Sequence, residues 1–321
     1  MSSSDSLLEA IGLKAHYETP TGFLRAVDEV DLSVGKSEIL GIAGESACGK
    51  STLALSLLRL LRPPGYITEG KVLFNGVDLL KLRKRDMRKI RFKHISYISQ
   101  SSMNSLNPVM RIRDQITDAI LTHEGRVSKR DLKKRVEELL VEVGLKPDVA
   151  RMYPNELSGG MKQRVAIAMA VALRPELVVA DEPTTALDVV VQRGIIQLLI
   201  DIKNKQVSSM IVITHDMAVQ AEVSERLAVM YAGKIVEVGD TRSIYREPLH
   251  PYVRALISAI PSIEMRKELV SLSGLPPDLR NPPPGCPFHP RCPMFMSGKC
   301  DVEAPNPTEV NGRIVTCHLY G

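Results

Sequence analysis

Short apolar runs separated by turns dominate the first 40 residues of the chain. Residues 7–11, 23–27 and 30–34 each have the length and side-chain types of a strand. Residues 70–76 form another such run and end in Asn-Gly, a pair typical of tight hairpin turns. The pattern predicts an antiparallel sheet at the start of the chain.

A second pattern consists of apolar runs without alternation, at residues 39–43, 177–180 and 210–214. Continuous apolarity is typical of central strands in a parallel sheet, which are buried on both faces. Each run is followed by residues that can carry chemistry: Gly44, Asp181 and His215, respectively. Residues 95–99 form a further strand pattern that ends at Gln100.

Between residues 101 and 172 the apolar positions change to helical spacing. One helix is predicted to begin after Ser128, a favourable N-cap, and to stop at Gly144. Its apolar positions recur every three or four residues: Leu132, Val136, Leu139, Leu140 and Val143. We therefore predict an α/β fold whose sheet domain contains a helical insertion at about residues 101–172. A hairpin centred on Ala232 and Gly233 should close the sheet.

The loop between the apolar run 39–43 and the next helix has the pattern of a phosphate-binding loop. Its residues are Gly44, Glu45, Ser46, Ala47, Cys48, Gly49, Lys50, Ser51 and Thr52. Glycines let the backbone wrap round a polyphosphate, and the helix N-terminus adds a partial positive charge. Lys50 would reach the phosphates, and the Ser51 hydroxyl would ligate Mg²⁺. A glycine-rich turn that carries a lysine by chance is the alternative, and the strand and helix on either side disfavour it.

Composition is that of a globular protein and excludes few functions. Of the 321 residues, 44% are apolar and 25% are charged, and the net charge is +5. A basic run at residues 81–93 is interpreted as a solvated surface, because aromatic residues do not interleave with it as base stacking requires. We expect no nucleic-acid partner. Since the chain has neither a 20-residue apolar stretch nor a signal-peptide pattern at residues 1–5, we expect a cytoplasmic protein that reaches a membrane only through a partner.

Four of the five cysteines lie in the last segment: Cys286, Cys292, Cys300 and Cys317, with gaps of 5, 7 and 16 residues. In a cytoplasmic chain such a cluster indicates a metal more than disulfides. Four thiolates could hold a [4Fe–4S] cluster or Zn²⁺, and four reduced thiols without metal are the remaining alternative. His289 and His318 lie near these cysteines in the sequence, but we interpret them as residues that do not bind the metal. The region is rich in proline, so a bound metal would supply stability that a core does not.

Two more motifs complete the candidate site. Asp181 and Glu182 follow a buried strand, where one carboxylate can hold Mg²⁺ through water and the other can polarise an attacking water. Ser158, Gly159 and Gly160 open a helix whose N-terminus suits an anion. An Asp-Glu pair or a Ser-capped helix is common by itself. These motifs indicate a functional site here because they occur in the same chain as the phosphate loop.

Together these motifs resemble the ATP-binding cassette (ABC) family in order and spacing. Residues 44–51 resemble its Walker A motif, 157–164 its signature and 177–182 its Walker B motif. Gln100 resembles the Q-loop glutamine, residues 186–188 resemble the D-loop, and His215 resembles the switch histidine. Tyr17 resembles the adenine-stacking aromatic, and we expect it in a loop between the first two strands. The resemblance implies a RecA-like core sheet with an N-terminal antiparallel sheet and an inserted helical subdomain.

The resemblance also implies a role for each position. Two cassettes would meet head to tail, with each ATP between one Walker A motif and the facing signature. Lys50, Ser51 and Thr52 would hold phosphates and Mg²⁺, aided at the metal by Asp181 and Gln100. Ser158 and Gly160 would contact the γ-phosphate of the ATP bound to the facing subunit. Glu182 would be the general base, and His215 would contact the γ-phosphate and position the water. Asp188 would communicate between the two sites.

Two loop positions depart from the family, which commonly has Gly-Ser where this chain has Ala47-Cys48. Alanine should be tolerated if the backbone there does not need a positive φ. Cys48 could be a reactive thiol, because a helix N-terminus lowers thiol pKa values, or simply a tolerated small residue. We favour the second hypothesis and expect activity to survive both changes.

Further segments resemble the dipeptide/oligopeptide importer group of ABC ATPases: residues 103–110, 250–252 with 256–261, and 285–293. The resemblance implies an ATPase that powers uptake of peptides or similar solutes, oligosaccharides included, and it favours [4Fe–4S] over zinc. Implied partners are a second cassette (a paralogue or a copy of this chain), two permease subunits and, indirectly, an extracellular solute-binding protein. The cassette would lie at the cytoplasmic face of the membrane. The alternative function is a non-transport cassette acting on ribosomes or nucleic acid.

From these patterns we predict two domains. Residues 1–262 would form the nucleotide-binding domain, and residues 263–321 a small irregular extension with the four-cysteine site.

Overall fold

The computed structural model of the protein describes residues 6–100, 102–205, 207–260 and 274–321. The chain divides into two compact units, Met1–Lys81 with Val212–Gly321 (unit 1) and Leu82–Ile211 (unit 2). The predicted domain boundary at residues 262 and 263 lies outside the described residues, as does Pro261 of one family segment.

The first part of unit 1 is dominated by an antiparallel sheet. The elements in this part of the chain are β1 (Ser6–Thr19), β2 (Gly22–Gly35), β3 (Ile39–Ala43), α1 (Lys50–Leu57), β4 (Gly65–Phe74) and β5 (Val77–Asp78). The sheet order is β2-β1-β4-β5, and Asn75 and Gly76 turn with φ values of 48° and 78°, as an Asn-Gly hairpin turn requires. The predicted antiparallel sheet is confirmed, but the apolar runs at 23–27 and 30–34 belong to one strand, which passes through Glu29 at φ 54°.

Unit 2 contains the predicted helical insertion. Its elements are α2 (Lys84–Ile90), β6 (Ile95–Ile98), α3 (Ile112–Glu124), α4 (Lys129–Glu142), α5 (Gly159–Val171), β7 (Leu177–Asp181) and α6 (Val189–Lys205). Helix α4 begins where predicted, because the Ser128 side chain accepts a hydrogen bond from the Asp131 backbone N–H. It ends before Gly144, whose φ is 73°. Strands β6 and β7 pair in parallel, as the continuous apolarity of β7 indicates.

The division between the units falls within β8 (Ser209–Ile213), and the remaining elements belong to unit 1. They are α7 (Met217–Val223), β9 (Arg226–Tyr231), β10 (Lys234–Asp240), α8 (Thr241–Arg246), α9 (Pro251–Ser258), β11 (Pro307–Val310) and β12 (Arg313–Thr316). In unit 1 these strands run in the order β11-β12-β10-β9-β3. Ala232 and Gly233 form the predicted hairpin turn between β9 and β10, with φ values of 47° and 82°.

The described part of the C-terminal segment, residues 274–321, packs onto unit 1. Strand β12 pairs with β10, and Phe288, which is 1% exposed, lies in the same core cluster as Tyr231 and Tyr252. Glu237 on β10 is fully buried and pairs with Arg313 on β12 at 3.4 Å. Removing one partner of such a buried pair costs about 3–5 kcal/mol, because the other charge is left uncompensated. By its contacts, therefore, this segment is part of the unit that carries the phosphate loop.

None of the helices in the described ranges combines the length and the apolarity needed to cross a lipid bilayer.

Candidate functional site

The loop from Gly44 to Gly49 connects β3 to α1 in unit 1, as the sequence predicts for a phosphate-binding loop. Gly49 has a φ of 109°, and a Cβ there would lie 1.9 Å from the carbonyl oxygen of Ala26. Gly44 has a φ of 151°, and its Cβ would lie 2.2 Å from the carbonyl oxygen of Met230. Only glycine fits at either position. The two glycines thus let the loop curl tightly against neighbouring backbone.

Lys50 lies inside the curve of this loop. Its ammonium group donates hydrogen bonds to the carbonyl oxygens of Gly44 at 2.7 Å and Glu45 at 2.8 Å, and the residue is only 5% exposed. A compact point charge is thereby fixed at the N-terminus of α1, where the helix dipole also favours an anion. The arrangement suits a polyphosphate.

Tyr17 lies within β1 rather than in a loop between the first two strands, so its predicted location is wrong. Its hydroxyl lies 3.3 Å from the Thr52 hydroxyl in the first turn of α1. Its ring lies close to Gly65, where an added Cβ would come within 2.8 Å of it. The structure therefore places an aromatic ring beside the start of α1, and its stacking on adenine remains a prediction.

The condition under which alanine would be easily tolerated in the loop is not met. Ala47 has a φ of 63°, in the left-handed region that costs an L-residue roughly 1–2 kcal/mol. The usual family glycine avoids this cost. This loop is therefore strained at Ala47, and the surrounding structure must hold it.

Cys48 is not the reactive thiol of the first hypothesis. The residue is 6% exposed, and burial raises the pKa of its thiol despite the nearby Lys50 ammonium. Desolvation outweighs the positive charge, so the thiol stays protonated and inaccessible. The structure supports the alternative, a small residue that packs.

Two loop contacts come from residues to which the sequence analysis gave no role. The Glu45 backbone N–H donates to the Tyr252 hydroxyl at 2.9 Å, and its carboxylate accepts two hydrogen bonds from Arg291, at 2.8 and 3.0 Å. Tyr252 and Arg291 are more than 200 positions away in the sequence. Their only signal was their place in segments that resemble the importer group, and nothing local indicated a contact with the loop.

His215 follows β8 in unit 1 and is exposed. The Thr214 backbone N–H donates to the Ile42 carbonyl at 3.2 Å, so the chain leaves β8 at the same sheet edge from which the phosphate loop leaves β3. Asp216 accepts hydrogen bonds from the N–H groups of Ala218 and Val219 and so begins α7. This cap fixes the backbone next to His215.

In unit 2, Asp181 ends β7 and is 1% exposed. Its carboxylate accepts a hydrogen bond from the Tyr97 hydroxyl at 3.0 Å. Burial and the Asp181 charge raise the pKa of Tyr97, so the phenol remains a donor. Sequence reasoning placed Asp181 correctly but missed Tyr97, which lies in β6 among ordinary strand residues.

Glu182 has a φ of 46°, an unusual conformation for glutamate. Its carboxylate accepts hydrogen bonds from the Gln100 amide and the Thr185 hydroxyl, both at 2.8 Å. Gln100 thus contacts Glu182 directly. Strained backbone of this kind persists where the surroundings fix a side chain, and it concentrates at functional sites.

The signature and the D-loop share one surface of unit 2. Ser158 caps α5 by accepting from the Met161 N–H at 3.3 Å, and Asp188 accepts from the Val191 N–H at 3.0 Å. A Cβ at Gly160 would lie 2.7 Å from the Val191 side chain, so the beginnings of α5 and α6 are adjacent. Ser158, Gly159 and Asp188 are all exposed on this surface.

The four late cysteines line one small cavity in unit 1, together with His250, His289 and His318. All four are free thiols, and burial raises the pKa of Cys286 to about 11. Among residues 6–100, 102–205, 207–260 and 274–321, however, no three His, Cys, Asp or Glu side chains are arranged so that they could hold a metal ion. The structure therefore gives no support to the expected [4Fe–4S] cluster or to zinc.

Two family models match the chain. The ABC transporter model matches residues 27–185, which include the phosphate loop, Gln100, the signature and Walker B. The model "Oligopeptide/dipeptide transporter, C-terminal region" matches residues 236–300, which include Tyr252, Arg291 and three of the four late cysteines.

Whole-chain comparisons agree with these matches. The dipeptide transport ATP-binding protein DppD of Caldanaerobacter subterraneus is 42% identical over 311 residues, covering 96% of this chain and 95% of the relative. The oligopeptide transport ATP-binding protein OppD of Bacillus subtilis is 44% identical, covering 93% and 85%. The dimeric post-hydrolysis structure of the ATP-binding cassette MJ0796 bound to ADP and Pi has a TM-score of 0.66 at 30% identity and covers 73% of this chain and 99% of its own. The chain belongs to the ABC transporter family, and within it to the group of oligopeptide and dipeptide transporter ATP-binding proteins.

Proposed function

We propose that this chain is the ATP-hydrolysing subunit of an ABC importer that powers uptake of peptides or similar solutes through a membrane permease. The observation that carries the proposal is the extent of the similarity. Relatives named as dipeptide and oligopeptide transport proteins match this chain over more than nine-tenths of its length. The alternative, a non-transport cassette acting on ribosomes or nucleic acid, leaves the match of residues 236–300 unexplained.

ATP would bind at the phosphate loop of unit 1. The buried Lys50 ammonium supports this assignment, and Ser51 and Thr52 follow it at the start of α1. Mg²⁺ fits the donor chemistry, because Ser51 would offer a hydroxyl and Asp181 a buried carboxylate. When bound, Mg²⁺ neutralises part of the charge on the phosphates. Gln100 would complete this set.

Glu182 would act as the general base for the attacking water. Its strained backbone and its hydrogen bonds from Gln100 and Thr185 support a fixed carboxylate. A base held in one orientation accepts a proton without first reorganising. His215, exposed after β8, would contact the γ-phosphate and position the water.

The functional assembly would contain a second cassette facing the signature. On the shared surface of unit 2, Val189 and Val190 are 80% and 83% exposed beside Asp188, and exposed apolar side chains next to polar motif residues suit a protein contact. Ser158, Gly159 and Gly160 would then face the ATP of the second subunit. That subunit would be a paralogue or a copy of this chain.

The permease would dock on the segment after Gln100. Val109 in this segment is 79% exposed, yet the segment is ordered by Gln115, which accepts from the Asn107 N–H and donates to the Met110 carbonyl. An ordered loop with an exposed apolar tip suits a docking contact. Attachment through the permease would place the chain at the cytoplasmic face of the membrane, with an extracellular solute-binding protein as an indirect partner.

Metal binding by the four late cysteines is a separate part of the proposal, with [4Fe–4S] favoured over Zn²⁺. It is supported by the four thiols, which line one cavity, and it requires that their side chains move into ligand geometry. Anaerobic purification followed by iron, sulfide and zinc analysis tests it, with about four irons and four sulfides per chain expected. Cys300→Ser should lose the metal and Cys48→Ser should keep it. A metal-free wild-type protein would refute this part alone.

The catalytic assignment is tested with Glu182→Gln. We expect phosphate release from ATP to fall by at least 10²-fold, within the range for loss of a general base, while ATP stays bound and the dimer accumulates on size exclusion. Glu176→Gln is the matched control, because Glu176 directly precedes β7 and pairs with His94 at 2.7 Å. Unchanged turnover in the Glu182 variant would remove this residue from the role of base.

The transport class is tested by reconstituting the chain with its permease and second cassette in vesicles. ATP-dependent accumulation of labelled di- and oligopeptides is the expected result. Co-purification with ribosomes or nucleic acid, and no stimulation by peptides, would favour the alternative function.

A further inference from the structure

We propose that Arg291, in the C-terminal segment, is a positioning residue for the ATP site, because it holds Glu45 of the phosphate loop and cancels its charge. The inference rests on the proposed binding of ATP at this loop. It assigns part of the nucleotide site to a segment that lies beyond the ABC transporter match at residues 27–185.

The contact between Arg291 and Glu45 is bidentate and partly buried, with the Glu45 side chain 24% exposed. The guanidinium nitrogens lie 2.8 and 3.0 Å from the two carboxylate oxygens, and the Arg291 side chain is 5% exposed. Fork-to-fork pairs fix relative orientation as well as distance. The carboxylate of Glu45 is therefore held in one place, and with it the backbone of the loop.

Tyr231 holds the guanidinium group from a second side. Its hydroxyl accepts a hydrogen bond from Arg291 at 3.3 Å, and its ring centroid lies 5.8 Å from the guanidinium carbon. An arginine guanidinium is not deprotonated in proteins, so the cation is permanent. Tyr231 ends β9, next to the hairpin turn whose Gly233 N–H donates to the Cys48 carbonyl at 2.9 Å.

The local structure of the C-terminal segment presents Arg291 to the loop. Arg291 ends the 3₁₀ turn His289–Arg291, and its N–H donates to the carbonyl of Phe288, whose ring is anchored in the unit 1 core. Cys286 and Cys292 flank the same turn. The position of Arg291 thus depends on the packing of the whole segment.

The contact between Arg291 and Glu45 affects ATP binding through the negative charge of Glu45. Glu45 would place a negative carboxylate next to a highly anionic polyphosphate, and like charges repel strongly where water is partly excluded. Arg291 neutralises this carboxylate before ATP arrives. Without Arg291, the loop would be both less fixed and more negative, so ATP should bind more weakly.

The test is a titration of the full-length chain with a fluorescent ATP analogue. We expect Arg291→Met to raise the Kd for the analogue about tenfold, which corresponds to about 1.4 kcal/mol. Arg291→Lys should lie between it and the wild type, because it keeps the charge but loses the fork. Arg280→Met is the matched control, since Arg280 lies in the same segment and pairs with Asp278 at an exposed site, and it should leave the Kd unchanged.

A second variant separates charge from folding. Glu45→Gln combined with Arg291→Met removes both charges, so its Kd should return to within about threefold of the wild-type value if repulsion is the main effect. Turnover at saturating ATP should stay within twofold in Arg291→Met while KM rises. Thermal unfolding of each variant shows whether the fold is retained.

Two results would overturn the inference. One is a wild-type Kd in Arg291→Met, and the other is an equal loss of binding in the single and double variants together with a lowered Tm, which would make Arg291 merely structural. Failure of the proposed function looks different, because the wild-type chain would then bind no nucleotide and Lys50→Ala would change nothing.

Discussion

Phe288→Ala tests whether the C-terminal segment is a part of unit 1 or an extension that can detach from it. The Phe288 ring is 1% exposed, and its centroid lies 5.2 Å from that of Tyr231, 5.4 Å from Tyr252 and 5.7 Å from His250. Truncating a fully buried phenylalanine costs about 3–5 kcal/mol. Each kcal/mol lowers the Tm of a domain of this size by about 2–4 °C, so we expect a fall of roughly 10 °C.

Differential scanning calorimetry of the full-length chain is the assay, with Phe295→Ala as the control. Phe295 lies in the same segment but is 43% exposed, so its loss should change stability by no more than about 0.5 kcal/mol, as is usual at surface sites. The main transition of the Phe288 variant should shift as a whole. If it keeps the wild-type Tm, and only residues beyond 274 become sensitive to protease, the segment is a detachable extension and this reasoning is refuted.

Three further predictions concern single residues of unit 1. Ala47→Gly should stabilise the protein by up to about 1 kcal/mol, since glycine removes the cost of a positive φ but adds entropy to the unfolded chain; a lower denaturation midpoint would contradict this. Cys48 should react with a maleimide more slowly than the partly exposed Cys292 in the native protein, as measured by peptide mass spectrometry, and earlier labelling of Cys48 would show that the loop opens. Burial lowers the pKa of His250 to about 3, so its contribution to stability is complete above the unfolded pKa of about 6.5 and is lost as the pH falls below it. Between pH 6.5 and 4.5 the wild type should lose about 2–3 kcal/mol more than His250→Asn, which keeps an acceptor for the α9 N-cap, and equal losses in denaturation at both pH values would contradict this.

The fold was predictable to the extent that local chemistry determines it. The Asn75-Gly76 turn, the Ser128 cap and the loop between β3 and α1 each follow from residues within a few positions of one another. The error in β2 shows the limit of such reasoning. Glu29 interrupts the apolar alternation, but pairing with β1 continues on both sides of it, and a neighbouring strand decides that.

The site was predictable where motifs are contiguous and was incomplete where contacts are distant. Tyr97 and Tyr252 both bond to site residues, Asp181 and the Glu45 backbone, across 84 and 207 positions. A tyrosine in a strand or helix gives no local sign of what its hydroxyl will meet. Cys48 shows the same limit, because the helix N-terminus that suggests a reactive thiol is visible in the sequence, whereas the burial that supports the favoured hypothesis of a small packed residue is not.

Ala47 and the contacts of the C-terminal segment together explain how an unusual phosphate loop can keep its shape. An alanine at φ 63° is destabilised relative to the family glycine, and strain of this size persists only where the surroundings over-determine the backbone. Here the loop is held on both sides of Ala47. Glu45 is bound through its N–H to Tyr252 and through its carboxylate to Arg291, while the Cys48 carbonyl accepts from Gly233. If these contacts supply the restraint, Ala47→Gly should make the protein less sensitive to the loss of Arg291. A double-mutant cycle between the two positions, measured as nucleotide affinity, should then show a coupling well above the 0.3–0.5 kcal/mol typical of independent sites, and additive effects would mean that the strained loop holds its shape without the C-terminal segment.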